Sequence, residues 1–160
     1  MNFFLDTSAL VKLFHVEPGT DIVTRIVQHA ASEIWISDLA RLEFTSAIYR
    51  RFRNQELDEL RLHTSLTYFE NQLHTFRLEP LNQLVIDEAG ILLRKYGKVN
   101  GLRTLDALHL GTYSLISEHG WCFVTADTVL FNVAREAGFL SLYPLQSNNF
   151  NLDLWIAEQD

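Results

Sequence analysis

The chain has 160 residues, of which 48% are hydrophobic and 21% charged, a size and composition typical of one globular domain and not of a disordered chain. The formal net charge of −7 argues against a protein that binds nucleic acid by electrostatics alone, since such proteins are usually basic. Cys122 is the only cysteine, so an internal disulfide is excluded. There is no recognisable signal peptide and no run of about 18 apolar residues, so we expect a cytoplasmic protein without a membrane span.

Short apolar runs alternate along the chain with longer helical patterns. The runs are rich in aromatic and branched side chains and are bounded by Gly, Pro, Ser or Asp, as strands are. Strands separated by helices predict a parallel sheet covered on both faces. We therefore expect one α/β domain, a three-layer α/β/α sandwich with a parallel central sheet of about five strands. The predicted strands are residues 2–5, 34–36, 75–78, 121–124 and 139–142.

Apolar residues recur at helical spacing in three of the intervening segments. A further helical stretch covers residues 55–74, so we expect a helical pair, at about 38–54 and 56–74, between the second and third strands. The three periodic sets are Leu39, Leu42, Ala47 and Ile48; Leu84, Val85, Ala89, Leu92 and Leu93; and Leu105, Leu108, Thr112, Leu115 and Ile116.

The end of the chain has a different character. Residues 146–151 (QSNNFN) are polar and typical of turns, whereas residues 152–156 (LDLWI) are apolar. We predict a domain over residues 1–144 and a C-terminal extension over residues 145–160. The extension either packs on the domain or forms a contact surface for a partner or a second copy.

Acidic residues fall near the carboxyl ends of the predicted strands, the edge at which open parallel sheets bind ligands. Asp6 directly follows the first strand and Asp127 follows the fourth. Glu43 lies in the first two turns of the helix after the second strand. Asp106, near the start of the helix before the fourth strand, joins them if that helix begins at the same edge.

Each of these acids also has a structural explanation. Asp6 and Asp127 could cap the helices that follow them, and Asp106 could favour the positive end of its helix dipole. Glu43 falls on a partly apolar helix face, where a buried carboxylate needs a partner or a cation; on the surface it would need neither. The combination, and no single acid, indicates a function.

Carboxylates gathered in one place repel each other unless a cation binds them. Mg²⁺ and Mn²⁺ prefer oxygen ligands, and either ion can activate water and stabilise the leaving oxygen of a phosphodiester. Ser8 and Thr125, close to Asp6 and Asp127, offer hydroxyls that could orient ligands or water, although they could equally be turn or capping residues.

Four sequence motifs resemble those of a known family. DTSALVKLF at 6–14, ARLEFTSAIYRR at 40–51, LDALHL at 105–110 and TAD at 125–127 are similar to the motifs of PIN-domain ribonucleases. More narrowly, they resemble the VapC toxins of bacterial and archaeal toxin–antitoxin pairs. The resemblance extends from Met1 to about Pro144, and the motifs occur in the family's order.

The resemblance implies a PIN-like fold and an endoribonuclease that depends on Mg²⁺ or Mn²⁺, with Asp6, Glu43, Asp106 and Asp127 as catalytic and metal-binding residues. It also implies a homodimer and a VapB-like antitoxin that lays a segment into the active-site groove. Two alternatives remain open. One is a PIN-domain nuclease of RNA processing without an antitoxin, and the other is a PIN-like module that binds RNA or protein without cleaving.

The remaining polar residues carry weaker signals. Arg41 and Arg50, on the helix of Glu43, are candidate contacts for RNA or an antitoxin, or belong to a solvated helix face. His109 is expected in the core or in support of the site, because further His or Cys ligands for zinc are missing nearby. A phosphatase of the haloacid dehalogenase type is disfavoured, since it requires a second aspartate where this chain has Ser8.

Overall fold

The computed structural model describes residues 1–29, 32–145 and 152–157. One sheet has the strand order β3–β2–β1–β4–β5, and every neighbouring pair is parallel. The prediction of an α/β fold with a parallel sheet of about five strands is confirmed. The strands are β1 (Asn2–Leu5), β2 (Glu33–Ser37), β3 (Arg77–Glu79), β4 (Cys122–Val124) and β5 (Ser141–Leu142).

Helices connect the strands. A π-helical turn at Leu93–Gly97 directly follows the helix Gln83–Leu92. Within the described ranges no helix is long and apolar enough to cross a membrane. The helices are α1 (Thr7–Leu10), α2 (Thr20–Gln28), α3 (Leu39–Arg53), α4 (Glu59–Gln72), α5 (Gln83–Leu92), α6 (Lys98–Asn100), α7 (Thr104–Ile116), α8 (Thr128–Glu136) and α9 (Leu152–Ala157).

The hydrophobic core is divided by the sheet into two clusters. Successive strand side chains point to opposite faces, so Phe3 and Leu5 pack with residues of α1 to α4, whereas Phe4 packs with residues of α5, α7 and α8. Both faces of the sheet are therefore covered. The predicted three-layer sandwich is confirmed.

Three predicted strands are shorter than expected: β4 begins one residue late, at Cys122, and β3 and β5 begin two residues late. The predicted strand 75–78 begins at Arg77, because Thr75 closes a 3₁₀ turn and donates its hydroxyl to the carbonyl of Gln72. The predicted strand 139–142 begins at Ser141, because the N–H of Phe139 still bonds to the carbonyl of Ala134 in the last turn of α8. The first residues of the predicted strands 75–78 and 139–142 therefore belong to the ends of the preceding helices.

Some apolar residues of the predicted helical faces point to solvent. Leu42 on α3 is 71% exposed and Leu84 on α5 is 67% exposed. On α7 the buried residues include Ala107, Leu110 and Tyr113, whereas Leu105 and Leu115 are each 47% exposed. Apolar residues lie on more than one side of these helices, so periodicity by itself does not decide which side is buried.

The C-terminal helix α9 lies against α2. Leu152 is buried, and the ring of Trp155 lies 6.5 Å from that of Phe3, centroid to centroid. The polar segment 146–151 and residues 158–160 lie outside the described residues. The division into a domain over 1–144 and an extension over 145–160 stays a prediction.

Candidate active site

The carboxyl ends of β1 and β4 lie side by side and bring their following residues together. Leu5 pairs with Val124, and the N–H of Asp6 donates to the carbonyl of Val124 at 3.1 Å. Thr125 directly follows β4, and its hydroxyl donates to Asp6 Oδ2 at 2.7 Å. Asp6 and the TAD segment thus share one edge of the sheet.

Asp6 is buried and accepts several hydrogen bonds. Its Oδ1 accepts from the N–H of Ala9 at 2.9 Å, which caps α1, and the hydroxyl of Ser8 lies within 2.9 Å of both carboxylate oxygens. Burial raises the pKa of Asp6, and the charge of His109 and the hydrogen bonds from Ala9, Thr125 and Ser8 only partly oppose it. A divalent cation would relieve the cost of burying this charge.

Asp127 combines a capping role with a place in the site. Its Oδ1 accepts from the N–H of Leu130 at 2.9 Å and caps α8, while its own N–H donates to the hydroxyl of Thr125 at 3.1 Å. Oδ2 faces the opposite way and accepts from Arg103 at 2.8 Å. Capping and function are therefore not exclusive alternatives, because they use different oxygens of the same carboxylate.

Arg103 connects Asp127 to the fourth acid. It directly precedes α7, and its Nε donates to Asp106 Oδ2 at 2.9 Å. Burial raises the pKa of Asp106, and Asp127 adds to that rise, while Arg103 opposes it. Sequence analysis missed Arg103, although its position three residues before an acid in the first turn of a predicted helix was a usable signal.

Glu43 lies in the second turn of α3, half-buried between two other elements. Its Oε2 accepts from the hydroxyl of Thr7 and lies 2.5 Å from Nε2 of His109. Burial opposes ionisation, but the hydrogen bond and charge of His109 and the bond from Thr7 outweigh it and lower the pKa of Glu43. The expected supporting position of His109 agrees with this contact. Sequence analysis missed Thr7.

Hydrogen bonds join three of the four acids in one network, whereas Glu43 is held separately by His109 and by Thr7, the residue that follows Asp6. Thr125 joins Asp6 to Asp127, and Arg103 joins Asp127 to Asp106. In the part of the chain that the structure describes, no group of three or more His, Cys, Asp or Glu side chains is arranged to hold a metal ion as it stands. The donors, all carboxylate oxygens, are nevertheless of the kind that Mg²⁺ and Mn²⁺ prefer. Their chemistry fits such an ion, provided that Arg103 leaves the two acids.

A cleft of about 570 Å³ opens at this network. Glu43, Arg50 and Arg103 are among its lining residues. Arg41 lines a different groove, between α3 and α4, and pairs with Asp38 at 3.2 Å. The structure thus places Arg50 in the cleft that Glu43 lines and Arg41 elsewhere, and contact of either residue with RNA or an antitoxin stays a prediction.

The sequence profile of the PIN domain matches residues 3–136, which include all four acids. The chain belongs to the PIN domain family. A PIN-family relative, "Ribonuclease VapC47" of Mycobacterium tuberculosis (strain CDC 1551 / Oshkosh), is 28% identical over 144 residues, which are 88% of this chain and 96% of that protein.

Solved structures have a similar fold. FitAcB from Neisseria gonorrhoeae superposes with a TM-score of 0.66 at 18% identity and covers 91% of this chain and 99% of that one. Mycobacterium tuberculosis VapC20, described as a toxin that cleaves the sarcin-ricin loop, has a TM-score of 0.65 at 14% identity and covers 89% of this chain and 99% of that one.

Proposed function

We propose that this PIN-domain chain is an endoribonuclease dependent on Mg²⁺ or Mn²⁺, and the toxin of a VapBC-type toxin–antitoxin pair. The observation that carries the proposal is the network of hydrogen bonds that joins Asp6, Asp106 and Asp127 at the carboxyl edge of a parallel sheet. Glu43 is held by Thr7, the residue that follows Asp6. Membership of the PIN family and the similarity to a protein named as a ribonuclease support the reaction class. A cytoplasmic location belongs to the same proposal.

The proposed ligands of the cation are the carboxylates of Asp6, Glu43, Asp106 and Asp127. A bound Mg²⁺ or Mn²⁺ ion supplies activation of water and stabilisation of the leaving oxygen of the phosphodiester. Ion binding requires ionised carboxylates, and burial raises the pKa of Asp6 and of Asp106, so protons compete with the cation at these two groups.

Residues next to the acids hold them in place. The hydroxyls of Ser8 and Thr125 both donate to Oδ2 of Asp6, and the N–H of Ala9 donates to its Oδ1. Rigid carboxylates keep their orientation when a substrate phosphate approaches. We assign Ser8 and Thr125 to positioning and not to proton transfer.

The proposed regulator is a VapB-like antitoxin. Several structures with the same fold are complexes by name, among them a toxin–antitoxin complex from Klebsiella pneumoniae and a DNA-bound VapBC from Salmonella typhimurium. A segment of such a partner would occupy the cleft that Glu43 and Arg50 line. The test is co-expression of the chain with the protein encoded beside it, followed by co-purification and RNA cleavage.

The expected homodimer stays a prediction. Leu84 and Ile91 are seven residues apart, about two helical turns, and both are more than half exposed on α5. Covering them would bury apolar area. Light scattering on the purified chain measures the oligomeric state, and a Leu84→Glu variant that leaves a dimer intact would exclude this face.

Cleavage of a panel of RNAs with added Mn²⁺ or Mg²⁺ tests the reaction itself. We expect cleavage that EDTA abolishes and that excess Mn²⁺ restores, and we expect Asp6→Asn to be inactive. Activity that persists in EDTA, or in Asp6→Asn, would refute the metal site. Binding of RNA without cleavage under any metal condition would favour the non-catalytic module, and cleavage without toxicity on expression would favour RNA processing.

A further inference from the structure

One edge of the Arg103 guanidinium holds two of the four acids. Nε donates to Asp106 Oδ2 at 2.9 Å, and Nη2 donates to Asp127 Oδ2 at 2.8 Å. These two N–H groups form the fork that commonly donates to both oxygens of a single carboxylate. Here the two N–H groups donate to two different carboxylates. The guanidinium thus holds the two acids side by side with one positive charge.

The arginine is much more exposed than the acids it holds. Its side chain is 68% exposed, against 16% for Asp106 and 26% for Asp127. Water screens the charge of an exposed guanidinium, so each ion pair contributes little to folding. Arg103 also makes no side-chain capping bond to α7. Its departure would therefore leave the fold intact and would leave two adjacent carboxylates without their shared cation.

We propose that Arg103 exchanges with the divalent cation: it holds Asp106 and Asp127 before the ion binds, and it contacts an RNA phosphate after the ion has displaced it. The proposal rests on the proposed function. A divalent cation held by the carboxylates of Asp106 and Asp127 would compete with the guanidinium for them, because two positive charges repel at such short range. The displaced side chain remains at the cleft, which Arg103 lines together with Arg50.

The chemistry of the displaced group favours phosphate as its second partner. A guanidinium fork matches two phosphate oxygens as well as it matches carboxylate oxygens. The chain carries a net charge of −7, so an RNA backbone depends on local cations for its attraction to the cleft. The same arginine would thus pair with the two acids in the free protein and with an RNA phosphate in the protein that has bound the cation and RNA.

Arg61 supplies a closely matched control. It pairs with Asp58 three residues away, as Arg103 pairs with Asp106, and its side chain is 72% exposed. It lies on α4 and is not among the residues that line the cleft. Arg61→Gln therefore removes the same charge and the same type of surface ion pair without touching the acids.

The first experiment measures Mn²⁺ binding to metal-free protein by calorimetry, without RNA. We expect Arg103→Gln to bind Mn²⁺ about three- to tenfold more tightly than the wild type, because the ion no longer competes with two ion pairs. Arg61→Gln should bind as the wild type does. An affinity of Arg103→Gln within twofold of the wild type, or weaker, would overturn the proposal.

The second experiment measures binding of a single-stranded RNA by fluorescence anisotropy with Ca²⁺, after a gel has shown that the RNA stays intact. We expect Arg103→Gln to bind several-fold more weakly. The slope of log affinity against log salt should fall in magnitude by about 0.7, the loss of one phosphate contact on a single strand. RNA binding equal to that of wild type and of Arg61→Gln would contradict the phosphate contact.

The outcomes separate this proposal from the proposed function. A wild-type chain that binds no Mn²⁺ and cleaves no RNA refutes both. A wild-type chain that binds Mn²⁺ and cleaves RNA, with Arg103→Gln unchanged in both affinities, refutes the exchange and leaves the nuclease standing.

Discussion

Nε2 of His109 lies 2.5 Å from Oε2 of Glu43, a contact between side chains 66 residues apart. Glu43 belongs to α3, in the layer on one face of the sheet, and His109 belongs to α7, in the layer on the other. The contact forms at the edge of the sheet, where the two layers meet. The hydroxyl of Thr7 donates to the same Oε2 of Glu43 and lies 3.1 Å from Nε2 of His109.

The first prediction concerns which nitrogen of His109 acts. Nε2 holds Glu43, whereas Nδ1 is buried and has no hydrogen-bond partner among the described residues. His109→Gln places an amide near the position of Nε2, and His109→Asn reaches only toward Nδ1. We expect Asn to reduce kcat/KM for RNA about 10- to 100-fold and Gln to retain more of it. Equal losses in the two variants would show that His109 acts only through packing, and thermal unfolding of both controls for stability.

The second prediction concerns the hydroxyl that joins Asp6 to Asp127. Thr125→Val removes one bond to a buried carboxylate and one from a backbone N–H, so it should cost about 1–3 kcal/mol of unfolding free energy and reduce cleavage. Thr112→Val is the control, because Thr112 is also buried but bonds only to the carbonyl of Leu108 in its own helix. We expect a small effect there. Urea unfolding of the two variants measures the difference.

The third prediction separates the two roles of Asp127. Asn caps a helix about as well as Asp does, so Asp127→Asn should keep its stability, whereas Asp127→Ala should lose about 1 kcal/mol. Both variants should lose RNA cleavage, because neither side chain is a carboxylate. An active Asp127→Asn would mean that this residue serves α8 alone.

The fourth prediction follows from the raised pKa values of Asp6 and Asp106. Both carboxyls hold a proton at a pH above the ordinary value of 3.8, and a protonated carboxyl does not bind the cation. As the pH falls, Mn²⁺ affinity should therefore decline earlier than it would with ordinary aspartates. Calorimetry between about pH 7.5 and 5, in buffers of different ionisation enthalpy, measures the affinity and the protons released. An affinity that stays constant over this range would contradict the expectation.

The fifth prediction tests the packing of α5 on α7. A Cβ added at Gly111 would lie 3.1 Å from the backbone nitrogen of Ala89 and 3.3 Å from the carbonyl oxygen of Val85. Gly111→Ala should therefore destabilise the fold by about 1–3 kcal/mol, since backbone cannot give way easily. Gly90→Ala is the control: its Cβ would meet only the end of the Arg94 side chain at 3.6 Å, and it should stabilise by about 0.5–1 kcal/mol. Denaturant unfolding that ranks the two variants in the reverse order would contradict this packing.

The sequence predicted the fold class because its two signals, short apolar runs and helical spacing, are local. Both the parallel sheet and its two covered faces follow from the alternation of these elements. The limits of β3 and β5 were wrong where a helix end competes with the strand for the same residues, as at Thr75 and Phe139. The exposed Leu42 and Leu84 show a second limit, since the buried side of a helix depends on what packs against it.

For the acids of the site, too, the sequence predicted some features and left others to the structure. Asp6 and Asp127 could be placed at one edge from the sequence alone, because each follows a strand and parallel strands end together. Whether they cap helices or serve the site could not be decided, since this depends on where each carboxylate oxygen points. The structure answers that Oδ1 of each residue caps a helix and Oδ2 faces the other side chains of the network.

The sequence by itself placed Asp6, Glu43 and Asp127 near one edge of an α/β sheet, through the order of its strands and helices, whereas the place of Asp106 rested on the resemblance to PIN-domain ribonucleases. Only the tertiary structure decided how they are held: Glu43 by His109 and Thr7, and Asp106 and Asp127 by Arg103. These contacts join side chains from α1, α3, α7 and the end of β4. Apart from Arg103 and Asp106, which are three residues apart, the partners are far apart along the chain. No local pattern specifies those other contacts, and they exist only when the layers have packed together.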